Sequence, residues 1–348
     1  MVTRLPVKFT ADDRWVVTRP FMPGGEIRVR RVLDRIAKMS SSEASAVLRQ
    51  VETQFASRRC WFEAELRSHF EQAVAMVPQR RDLDPTKQLL AGAYFTMEYA
   101  FASAALFNPS IVSHPDQTGI AEDSLRFVMS LRATGEGHIS SIVFRTGVIG
   151  PRHEIVFDPP AEHRHRMRVS PDRRYDRNLF RRKLMEMVVE EQAVELVLAN
   201  VADSFTFVEL EHAIENAYHD QADSNWLCET MDSMTWLARE NYQLKLPPEA
   251  DLSEMVVFPQ SDNESMGIED LRLVRFVDDD YQVTYYGTYS AYNGTQVLPQ
   301  LMATKDFHQL NMHTLNGACV QNKGLLCSHV GSGIAIGCVR GSMAKICI

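Results

Sequence analysis

The stretch Asn263–Phe276, NESMGIEDLRLVRF, sets an acidic pair, Glu269 and Asp270, and a cation, Arg272, at the mouth of an alternating apolar run. Alternation from Leu271 onward predicts a β-strand. Successive side chains of a regular strand point to opposite faces, so Asp270 and Arg272 would share one face and Glu269 would take the other. Two readings are open on these residues alone. Asp270 and Arg272 form a structural ion pair, or Asp270 is a carboxylate presented at a strand entrance, where Met266-Gly267 suggests a tight backbone approach.

Outward from this stretch the pattern stays β. MVVFP, LRLVRFV, VTYYGTYSAYNG and VLPQLMATKDF read as four strand-like pieces separated by Asp, Asn and Gly turns. Upstream, SLRFVMSLRATGEGHISSIVFRTGVI reads as two strands, Leu125–Arg132 and His138–Arg145, joined at Gly135 and Gly137, with EIVFDPP as a short third. Residues 175–240 separate the two β regions and have helical patterning, in which Met and aromatic positions read as core. Residues 40–106 also read as helical, with Ser40 and Glu43 at capping-box spacing and Asp84-Pro85 as an N-cap before a first-turn proline. The basic connector EHRHRMRVSPDRRYDR reads as a solvated linker. Its His163 and His165 lack further ligands at metal spacing, so no metal site is expected.

The expected architecture is mixed and β-rich, with short hairpins on both sides of a helical block. It suits a β-propeller carrying a helical N-terminal region and a helical insertion. The divisions fall at 1–104 (mainly helical), 105–168 (first blade segment), 169–248 (helical insertion), 249–324 (further blades) and 325–348 (an aberrant tail).

Of the 348 residues 45% are hydrophobic and 24% charged, which excludes global disorder. A formal net charge of -8 argues against a nucleic-acid partner. The N-terminus has no apolar signal core, and no run approaches a membrane span, so a cytoplasmic protein without a membrane partner is expected. The six cysteines show no CxxC pair, and reduced thiols are the default.

Three blocks resemble glycoside hydrolase family 130, the β-mannoside phosphorylases and related mannosidases. They are FNPSIV with FVMSLRATGEGHISSIVF, then MGIEDLRLVRF, then YYGTYSAYNGTQVLPQLMATKDF. They cover about 107–150 and 252–324. The helical regions resemble only longer members. The resemblance implies a five-bladed β-propeller that transfers a β-linked mannosyl group to inorganic phosphate, giving α-mannose 1-phosphate. The partners would be a mannose-containing oligosaccharide and phosphate as co-substrate, with no other cofactor. Asp270 matches the general acid, Asn108, Arg132 and Arg272 match sugar-site positions, and Lys323 falls where the family carries a phosphate-binding cation. Tyr292, near a loop tip, is a further candidate for the sugar. The family usually has proline where this chain has Leu271. A single acid suffices for inverting phosphorolysis, because phosphate is the nucleophile, whereas hydrolysis needs a second carboxylate for water.

Each residue has a plainer reading: a surface charge for Arg132, a turn for Asn108, a solvated loop for Lys323, sheet packing for Tyr292. A β-mannosidase on the same fold is one alternative function. Another is a non-catalytic carbohydrate-binding protein whose helical blocks serve homo-oligomerisation or a partner.

The last 24 residues, LLCSHVGSGIAIGCVRGSMAKICI, hold no acid and no aromatic but three of the six cysteines. Their glycines lack the strand–turn–helix context of a dinucleotide loop. Back-translated with permitted codons and read in another frame, the tail yields a strand pair like the family's next one. The expectation is a frameshift near Gly324, an unclosed propeller with exposed strand edges, and no phosphorolysis by the chain as it stands.

Overall fold

The structure, a computed structural model, describes residues 6–56, 62–161, 164–170, 173–187, 189–220, 225–247, 250–315, 325–330, 333–338 and 343–344. It divides into two compact units, 1–105 with 134–137 and 161–166, and the remainder.

The first unit packs helices Glu26–Ala37, Ser41–Phe55, Phe62–Met76 and Pro85–Tyr94 beside an antiparallel pair, Val16–Pro20 with Thr96–Ala100. Ser40 and Glu43 close the capping box, and Asp84 accepts from Lys87 N at 3.0 Å ahead of Pro85. Val29, Leu33, Phe70, Leu90 and Phe95 form the core. Helix was expected to run on past Tyr94. Instead the helix ends at Tyr94, and Thr96 opens a strand. The Thr96 hydroxyl donates to Gly92 O at 2.8 Å, and the strand takes its ladder partners from Val16–Pro20. Pairing with a distant segment overrides the local apolar pattern.

The second unit is β-rich. Its main hydrogen-bonded path runs Ala105–Ser113, Leu125–Thr134, Ser140–Ile149, Gly267–Val277, Val283–Tyr292, Val297–Thr304, Gln309–Thr314, Gln243–Lys245, Arg168–Val169. Among the described residues this path has two ends. Helices Arg177–Glu186, Glu191–Leu198, Phe207–Asp220 and Asn225–Glu240 interrupt it and share a core of Phe180, Leu184, Val197, Phe205, Met234 and Leu237. Tyr175, Phe180, Phe205, Met231 and Met234 of the insertion are packing residues, as expected, whereas Tyr218 is exposed. A second core, including Val128, Phe144, Leu271, Tyr285 and Tyr289, lies under the strands.

The basic connector is not a solvated linker throughout. Arg164 and His165 are buried, the Arg164 guanidinium covers the Trp15 ring at 4.8 Å, and Met167 joins the strand core. Long cationic stems and an alternating apolar residue let a segment that reads as polar be covered.

Helices and sheets together make the mixed, β-rich class expected from the sequence. Among the described residues no helix is long and apolar enough to cross a membrane. Cys228 is a free, exposed thiol.

Candidate active site

The acid-bearing strand Gly267–Val277 is not regular. Glu269 pairs with Ser290 and Arg272 with Thr288, so Asp270 and Leu271 together oppose Tyr289. This is a β-bulge, and Asp270 takes its left-handed position at φ 56°. Asp and Asn tolerate that region better than other residues with a Cβ, though usually as isolated turn residues. The bulge breaks the alternation expected from the sequence. Glu269 and Asp270 both reach Arg132, whereas Arg272 donates to Pro109 O at 2.9 Å. The Asp270–Arg272 ion pair, one of the two readings open on the sequence, does not form.

Asn108 comes from the neighbouring segment FNPS, also left-handed at φ 51°. Its amide nitrogen donates to Asp270 Oδ1. Three further hydrogen bonds tie FNPS to the acid strand. Leu273 N donates to Ser110 Oγ at 2.9 Å, and buried Ser130 spans Ser110 O and Leu271 O at 3.4 and 3.3 Å.

Arg132 is the hub. Its Nη2 donates to Glu269 Oε1 at 2.7 Å, its Nη1 to Asp270 Oδ1 at 3.3 Å and its Nε to Ser140 Oγ at 3.0 Å. The ring of Phe107 lies 5.0 Å from the guanidinium carbon. Ser140 can approach because Gly267 pairs with it. A Cβ on Gly267, whose φ is +146°, would stand 2.8 Å from Ser140 N. The tight approach suggested by Met266-Gly267 is therefore present, and it serves the residue that orients Arg132.

Asp270 Oδ1 accepts from both Asn108 and Arg132, while Oδ2 receives no donor among the described residues. The Asp270 side chain keeps 31% of its surface and that of Glu269 only 7%. The half-buried carboxylate is thus held by one oxygen, with the other open to a ligand hydroxyl. Glu269 is buried and committed to the guanidinium. Behind the bulge, fully buried Glu264 accepts from the hydroxyls of Tyr242 (2.7 and 2.9 Å) and Tyr289 (2.9 Å) and from the amides of Gln260 and Ser261. Burial pushes the Glu264 carboxyl above its ordinary range. Tyr289 is the residue opposite the bulge, so this network braces it.

Of the residues singled out in the sequence, Asn108, Arg132 and Asp270 come together, and Arg272 stands beside them on Pro109 O. Tyr292 does not join them. It sits at the far end of the hairpin strand opposite Gly267, with its hydroxyl donating to Gly294 O at 3.0 Å. Lys323 lies outside the described residues. Sequence reasoning missed Glu269, Ser140 and Phe107 as partners of Arg132. The Gly267 signal was in view, but its parallel partner was not.

No family model matches the chain, and no curated protein matches it. A solved structure of beta-1,2-mannobiose phosphorylase from Listeria innocua, in its beta-1,2-mannobiose complex, is similar over 66% of this chain and 49% of its own, at 14% identity and a TM-score of 0.24. The chain spans about half the length of that protein. A likeness of that size identifies neither the fold nor the reaction.

Proposed function

We propose that this chain derives from a β-mannoside phosphorylase of the family 130 type, with its strands belonging to a five-bladed propeller. In this reading Asp270 supplies a proton to the leaving glycosidic oxygen through a sugar hydroxyl. Inorganic phosphate attacks the anomeric carbon from the opposite face as the C–O bond breaks, and α-mannose 1-phosphate leaves with inverted configuration. Asn108 and Arg132 hold Asp270 by Oδ1 and leave Oδ2 for the proton. Lys323 holds phosphate, and Arg272 and Tyr292 border the sugar.

The observation that carries the reading is the convergence of Asn108 and Arg132 on one oxygen of Asp270 across 162 and 138 positions of sequence. Phosphorolysis is preferred to hydrolysis because Glu269, the carboxylate nearest in sequence, is buried against Arg132 and poorly disposed to activate water.

The test compares the chain as it stands with a form whose reading frame is restored after Gly324, on a panel of mannobioses with and without phosphate. The restored form is expected to release mannose 1-phosphate only with phosphate, and Asp270→Asn to abolish that release. Free mannose without phosphate would make the protein a mannosidase. Turnover surviving in Asp270→Asn would remove Asp270 as the acid. Mannose 1-phosphate from the chain as it stands would remove the frameshift.

A further inference from the structure

Away from Asp270, three basic side chains lie near enough for their charges to act on one another where Lys183 reaches Thr314 O on the strand Gln309–Thr314. Arg173 precedes the short strand Arg174–Asp176, Lys183 projects from the helix Arg177–Glu186, and His313 lies on Gln309–Thr314. The Arg173 guanidinium lies 5.0 Å from the Tyr175 ring centre, and its Nε and Nη1 are fully covered yet donate to no acceptor. Lys183 Nζ donates to Asn241 Oδ1 at 2.9 Å and Thr314 O at 3.2 Å, leaving one of its three donors. Among the described residues neither cation forms an ion pair. The acid that acts on Lys183 is Glu186, one turn further along its helix, and it makes no contact with the ammonium.

Burying a guanidinium without acceptors is costly, and a second cation beside it adds repulsion. Burial and Arg173 push Lys183 down to about 8, and burial with both cations pushes His313 down to about 3. All three groups nonetheless keep part of their surface. A small dianion at the surface these groups keep would take the remaining ammonium donor and cancel the repulsion between the cations.

We propose that Arg173, Lys183 and His313 bind a phosphoryl dianion, either inorganic phosphate or the phosphate of a sugar phosphate. The site is separate from the acid. Thr314 pairs with Gln300, Gln300 with Tyr289, and Tyr289 opposes the bulge. Three strand spacings put it roughly 14 Å across the sheet from Asp270.

The experiment uses the full chain in phosphate-free buffer and follows thermal unfolding and calorimetric binding with inorganic phosphate and with mannose 1-phosphate. Phosphate is expected to raise Tm, and Arg173→Gln and Lys183→Gln each to weaken its binding at least tenfold. Without phosphate, Arg173→Gln is expected to raise Tm, the opposite of losing a structural cation. Lys323→Gln and Asp270→Asn are expected to leave binding intact, which separates this site from the proposed reaction. Equal affinity for both ligands assigns the site to free phosphate, and at least tenfold preference for mannose 1-phosphate to the sugar-borne group. No binding at millimolar phosphate, binding unchanged in Arg173→Gln, or loss only in Lys323→Gln would overturn the proposal.

Discussion

Asn108 and Asp270 both hold left-handed backbone and are joined by a hydrogen bond from the amide of one to Oδ1 of the other. Each conformation costs an ordinary residue about 1–2 kcal/mol, and side chains that can bond locally ease it. A hydrogen bond to a carboxylate contributes about 1.5–3 kcal/mol. Two replacements separate these effects in the form with its frame restored after Gly324, as proposed above. Asn108→Gly keeps the backbone and loses the amide, so turnover should fall roughly 10–100-fold with little loss of stability. Asn108→Ala loses both, so denaturant titration should show about 1 kcal/mol less stability than the glycine variant. Equal stability of the two would mean that the left-handed turn matters little.

Arg132 links Glu269, Asp270 and Ser140 through different nitrogens. Lysine has one ammonium and cannot reproduce this fork. Arg132→Lys should therefore lose at least tenfold in kcat/KM while the protein stays folded. Glu269→Gln should leave a neutral acceptor beside Arg132, shifting the guanidinium toward Asp270. Its mark is a loss of kcat/KM larger than the loss of stability, whereas a purely structural Glu269 would lower stability without that loss of kcat/KM.

The β-strand at 267–277 was legible from its alternating apolar residues, and so were the flanking strands and the caps at Ser40 and Asp84. The bulge was not, because neither Asp270 nor Leu271 is a glycine and alternation alone predicts a regular ladder. Missing the bulge set Glu269 on the face away from Asp270 and left an Asp270–Arg272 ion pair open. The strand at Thr96 was hidden for a related reason, since its partner Val16–Pro20 lies some eighty residues earlier and local periodicity cannot report it. Asn108 and Arg132 were found through motif resemblance, which carries long-range information that periodicity lacks.

Gly267 lets the acid strand lie against Ser140. In Gly267→Ala the new Cβ would stand 2.8 Å from Ser140 N in a backbone region that alanine avoids. Strain and overpacking together should cost at least about 2 kcal/mol, read as a lower denaturant midpoint. Ser140→Ala removes the hydroxyl from Arg132 Nε without touching the backbone and should cost only about 1 kcal/mol. If Ser140→Ala matched Gly267→Ala, the close approach would not be the constraint.

Glu240 and Glu264 are both buried, and burial pushes both carboxyls above the ordinary value of 4.5. For Glu240 the like charge of Glu264 adds to the shift, and its Oε2 has no hydrogen-bond partner. The folded protein therefore holds protons that the unfolded chain has already released, so stability falls as pH rises from about 4.5 through the folded-state values. Each pH unit of that window is worth about 1.4 kcal/mol per group. Glu240→Gln removes one titration and with it the repulsion from the like charge of Glu264. Denaturant titrations from pH 5 to pH 8 should show the parent losing more stability than the variant, with the variant the more stable at pH 8. Parallel pH profiles would mean that Glu240 stays ionised throughout and that the pair is stabilised by contacts outside those named for it.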